Sequence, residues 1–154
     1  MSQSIHGHVE YKEVGYSYFG RVYLEAAHVL LALLGGGPLQ KPVPCFAPRG
    51  VPADMNPLTS RAHYLIVTES EPLRDGFISR QEADKWVGGG ASLWAGSACI
   101  TDPDFLSPSW LVTEELERVY DAYLRHDPAR LPCVEATIAA MRLLLEARFV
   151  YWFW

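Results

Sequence analysis

The segment KPVPCFAPRGVPADMNPL, residues 41–58, carries five prolines in eighteen positions. Each proline ring fixes φ and removes a backbone donor, so the stretch can be neither a helix nor a central strand. The same fixed φ makes it stiff, and a side chain held there is ordered at little entropic cost. The regular elements of the fold must therefore be built from the segments on either side of it.

Ahead of it, SIHGHVEYKE reads as a strand, with Ile5, Gly7, Val9 and Tyr11 on one face and His6, His8, Glu10 and Lys12 on the other. EVGYSYFG is turn-rich. RVYLEAAHVLLALL, residues 21–34, has an apolar stripe at helical spacing through Val22, Ala26, Val29, Leu30 and Leu33, which predicts a helix stopped by Gly35–Gly36–Gly37–Pro38.

Beyond it, RAHYLIVTE (61–69) predicts a strand, EPLRDG a turn, and Ser79 to Glu82 a capping box that opens a short helix ending at Gly88–Gly89–Gly90. ASLWAGSACI holds a further short strand, and DPDFLSPS reads as a loop. Thr113 is placed to cap a helix over EELERVYDAYLRH, broken by Asp127–Pro128. Pro132 launches a helix over 133–148, and the aromatic and β-branched content of RFVYWFW favours a closing strand. The expectation is one α+β domain over residues 1–154. Its antiparallel or mixed sheet draws on 4–12, 61–69 and 148–154, with about three helices on one face.

At 154 residues and 49% hydrophobic content, such a domain needs no metal or disulfide staple. Cys45, Cys99 and Cys133 are odd in number and widely spaced, as buried thiols of a reducing cytoplasm are. A net charge of -5 argues against nucleic acid held by general electrostatics, while leaving room for a small anion among converging arginines. MSQSIHGH lacks the cationic start and apolar core of a signal peptide, and the longest apolar run is too short to span a bilayer. The expected location is the cytoplasm, with no membrane partner.

No complete catalytic set is present. There is no G-x-S-x-G elbow, the glycine clusters lack the Lys-Ser/Thr of a phosphate loop, and the histidines do not form paired His-x-Thr/Ser tripeptides. Of the thiols, only Cys133 sits where a helix N-terminus would activate it. His6, His8 and Glu10 present three readings: a metal half-site, an acid–base set, or a polar face. Residues i to i+4 span about 13 Å of strand, whereas metal bonds measure about 2 Å, so three ligands cannot converge from a straight strand. The expectation is a polar face near a pocket or subunit contact, with no metal and no cofactor.

APRGVPAD offers a different chemistry. Arg49, between Pro48 and Gly50, is suited to bidentate recognition of a phosphate or carboxylate, or else ties its loop down through Asp54 or backbone carbonyls. Trp86, Trp94 and Trp110 stand beside loops, where an indole can stack on a base. Trp110 in PSWLVTEE equally suits packing on the helix that follows.

IHGHVEY, RVYLEAAHVLLALLGG, APRGVPAD, SPSWLVTEEL and RFVYWFW, in that order, resemble a family of small, mostly uncharacterised proteins encoded by bacteriophages and prophages. Relatives often carry a histidine ahead of the Ser-x-Ser-Trp segment, where this chain has Asp104–Phe105–Leu106–Ser107. The resemblance implies a terminal strand and an accessory protein acting in the host cytoplasm. By analogy of genetic setting, it implies a homo-oligomeric sponge that counteracts host defence by sequestering a nucleotide signal without catalysis. The residues expected to bind that small anionic ligand are His6, His8, Arg21, Arg49, Asp54, Ser109 and Trp110. Two alternatives stand beside it: a hydrolase or phosphodiesterase using His6, His8 and Glu10, and a protein–protein inhibitor of a host defence factor.

Overall fold

A computed structural model describes residues 3–36, 41–70, 76–91, 93–94, 96–101 and 106–154. Gly37–Pro38 of the expected helix stop, most of the EPLRDG turn, the Asp102–Phe105 part of the expected loop and the Trp94 side chain lie outside the described residues. The chain is α+β, with strands in two four-stranded sheets. It divides into two compact units, Met1–Asn56 with Leu106–Trp154, and Pro57–Phe105.

The first unit holds an antiparallel sheet in the order β2-β1-β8-β7: β1 (Ile5–Lys12), β2 (Tyr16–Leu24), β7 (Leu106–Val112) and β8 (Arg148–Phe153). Three helices belong to it, α1 (His28–Leu33), α4 (Thr113–His126) and α5 (Pro132–Arg142). Their apolar residues join Ile5, Val9, Leu111, Phe149, Tyr151 and Phe153 in one core cluster. Every residue of β8 is buried, as befits a strand flanked on both edges.

The second unit holds a sheet in the order β4-β3-β6-β5, from β3 (Tyr64–Thr68), β4 (Phe77–Ser79), β5 (Leu93–Trp94) and β6 (Cys99–Thr101). Its helices are α2 (Pro57–His63) and α3 (Arg80–Gly88). Ser79 caps α3 by accepting from the Glu82 backbone N–H at 3.2 Å, as the capping pattern predicts.

Several expectations are corrected. Residues 21–24 are strand, and the helix is confined to 28–33, because YSYFGRVYL pairs along β1 from Ile5–Leu24 to Lys12–Tyr16. The period-2 content of that stretch was available to a neighbouring strand, and tertiary pairing overrides the helical stripe. The 61–69 segment does not join the sheet of 4–12 and 148–154; Arg61 to His63 close α2, and only Tyr64–Thr68 is strand. Thr113 lies inside α4, whose start is held by the Glu115 carboxylate accepting from the Val112 N–H at 3.0 Å. Leu106 to Ser109 belong to β7, and α5 ends at Arg142.

Candidate functional site

The seven residues expected to bind ligand fall into three places, all in the first unit. The first is the polar face of β1. Register sets His6 beside Tyr23 and Trp152, His8 beside Arg21 and Val150, and Glu10 beside Tyr18 and Arg148. This face is not solvated: His6, His8 and Glu10 are 5%, 2% and 0% exposed.

His6 is framed by rings, with centroids 4.8 Å from Tyr23, 6.1 Å from Trp152 and 5.4 Å from Trp154. The exposed Arg21 places its guanidinium 4.8 Å over the Tyr23 ring and donates from Nη2 to His6 Nδ1 at 3.5 Å. A guanidinium only donates, so Nδ1 accepts and the neutral imidazole carries its proton at Nε2. Burial, and then the Arg21 charge, hold the His6 pKa below its ordinary value. No carboxylate among the described residues forms an ion pair with Arg21.

His8 shares a 3.0 Å hydrogen bond through Nδ1 with the Tyr18 hydroxyl and stacks on Trp152 at 5.2 Å. Its Nε2 is buried with no partner among the described residues. Burial, followed by Arg21 and His6, lowers its pKa to about 4, so it is neutral at pH 7.

The second place is an ion-pair hub. Arg148 donates from Nε to Glu10 at 2.8 Å and from Nη1 to Asp54 at 2.7 Å, and its guanidinium lies 3.4 Å over the Tyr16 ring. The Asn56 backbone N–H donates to the other Glu10 oxygen at 2.9 Å. Asp54 is thus the partner of Arg148 and not of Arg49, and that hydrogen bond holds its carboxyl below the usual range. Both Glu10 oxygens are engaged, and the side chain is fully buried.

The third place gathers Arg49, Ser109 and Trp110. The Arg49 backbone N–H donates to Ser109 Oγ at 3.0 Å, and its guanidinium lies 4.7 Å over the Trp110 ring. Both terminal nitrogens grip Glu115, at 2.7 and 2.5 Å, and one also reaches the Trp110 carbonyl at 3.3 Å. The hydrogen bond from Arg49 lowers the Glu115 pKa. Arg49 ties its loop down, through Glu115 and a backbone carbonyl.

Sequence reasoning missed Tyr18, Tyr23 and Trp154 around the histidines, and Arg148 and Glu115 as partners. Alternation in YSYFGRVYL was the available signal, since it sends Arg21 and Tyr23 to one side of a strand. Among the described residues, no three His, Cys, Asp or Glu side chains gather at metal-binding distance. No helix among them is long and apolar enough to cross a membrane. No family model, no curated protein and no solved structure matches this chain.

Proposed function

We propose that this protein is a non-catalytic receptor that sequesters a small anionic, nucleotide-derived ligand on the Arg21–His6 face of its first unit. The observation that carries this reading is Arg21 itself, an exposed cation with no carboxylate partner among the described residues, leaning on a neutral imidazole. Tyr23 and Trp154, 52% and 58% exposed, stand beside that His6 imidazole. A phosphate takes the guanidinium fork while a base covers an aromatic face. Glu10 is held by Arg148 and Asn56, and His8 is buried with its Nδ1 on Tyr18, which favours binding over hydrolysis. The setting, a phage accessory protein that counters host defence as a homo-oligomer, follows from the family resemblance and is part of this proposal.

Calorimetric titration with cyclic dinucleotides and ADP-ribose derivatives tests it, followed by heat release of whatever is bound. The expected result is one tight ligand returned intact, with affinity falling at least about ten-fold in Arg21→Ala, the loss of one charge-assisted contact. Light scattering of the same samples reads the oligomeric state. No binding by any member of the panel overturns the reading, and a cleaved product replaces it with the hydrolase.

A further inference from the structure

We infer that the second unit carries a separate binding site, for a small planar aromatic carboxylate. The register of its sheet makes the case. Tyr64 and Ile66 are two residues apart on β3 and share a face; Ile66 pairs with Phe77 on β4 and with Cys99 on β6. The alternate residues Leu65, Val67, Ile78 and Ile100 face the other way and form an apolar cluster with Ala83 and Trp86 of α3. Helix α3 thus covers one face of the sheet. On the Tyr64 face a cavity of about 520 Å³ opens, which is within the usual range of small-molecule pockets, roughly 300–1,000 Å³.

The polar side chains at that cavity are few. Ser60 and Arg61 of α2 line it together with Tyr64, Ile66, Phe77 and Cys99. Arg61 is exposed, and no carboxylate among the described residues pairs with it. A single guanidinium fork matches one planar carboxylate in a bidentate pair. Arg61 also stands in the last turn of α2, where the carbonyl ends carry partial negative charge, which disfavours a second negative charge on the ligand. The walls ask for an aromatic body and the rim for one carboxylate. The Ser60 hydroxyl, the Tyr64 phenol and the Cys99 thiol are the other hydrogen-bonding side chains of the lining.

The test compares 2-naphthoate with 2-naphthamide, equal in shape and different in charge, by calorimetry on the unaltered protein. Naphthoate is expected to bind at least ten times more tightly, and Arg61→Gln to erase that difference. In Cys45→Ser/Cys133→Ser protein, naphthoate is expected to slow alkylation of Cys99. Equal affinity for acid and amide, absence of binding at millimolar naphthoate, or unprotected Cys99 overturns the inference. Tighter binding of 2-naphthyl phosphate than of naphthoate overturns the carboxylate assignment. The acid–amide comparison needs no variant, so misfolding of Arg61→Gln would not remove the test.

Discussion

Arg148 and Glu10 face each other across β8 and β1 as a buried ion pair, Nε to Oε1 at 2.8 Å, with Glu10 fully buried. The pair sits where the proline-rich segment returns to the sheet, since Asp54 and Asn56 complete it. Removing one member of such a pair strands the other charge away from water. Arg148→Met is therefore expected to cost about 3–5 kcal/mol, and Glu10→Gln/Arg148→Met less than the sum of its single changes. Urea unfolding of the three variants measures this; additive losses would mean the two side chains do not interact.

The His8 shift makes stability depend on pH with a definite sign. Its folded pKa of about 4 lies below the ordinary 6.5, so the unfolded chain binds the proton more readily. This contribution to stability is complete above pH 6.5 and is lost as pH falls towards 4. The full difference is about 3 kcal/mol, at 1.36 kcal/mol per unit. Unfolding free energies measured between pH 7 and 4 should fall, and His8→Gln should flatten that slope.

Ligand binding at Arg21 should carry its own pH dependence. The Arg21 charge is one cause of the lowered His6 pKa, and an anion on the guanidinium offsets it. The imidazole then gains a proton more easily in the complex, and affinity rises as pH falls. Titrations across pH 7 to 5 should show tighter binding at the acid end, and His6→Gln should abolish the trend.

Gly7 is demanded by contact, not by backbone conformation. A Cβ there would overlap the Phe149 ring across the core face of the sheet. Gly7→Ala is expected to destabilise by about 1–3 kcal/mol, the usual cost of overpacking. Thermal unfolding of Gly7→Ala, with Gly20→Ala as a control because nothing lies within 4 Å of its Cβ position, checks it.

Arg49→Ala should cost about 1 kcal/mol, since the pair with Glu115 is partly exposed, at 30% and 18% of the two side chains. Arg49→Lys should recover little of it, because an ammonium cannot make the two-pronged contact. Affinity for the Arg21 ligand should be unchanged in both. Denaturant midpoints and one titration series decide the matter.

By itself the sequence determined what rests on local chemistry. Prolines at 42, 44, 48 and 52 keep residues 41–56 out of helix and strand. Ser79 caps α3, and the aromatic and β-branched 148–153 is a strand. For the prolines and the cap the decisive interaction lies within a few residues, and for 148–153 the residue types themselves suit a buried pleated segment, so a window of sequence contains the signal. Only the tertiary structure decided the rest. Val22 and Leu24 fit a helical stripe as well as a strand, and pairing with β1 chose the strand. That choice carried Arg21 to His6, fifteen residues away. Arg49 holds a partner 66 positions on, and Arg148 one 138 positions back. A charged side chain advertises only that it needs a counter-charge or a ligand; which one it receives depends on what folding brings within about 4 Å of it.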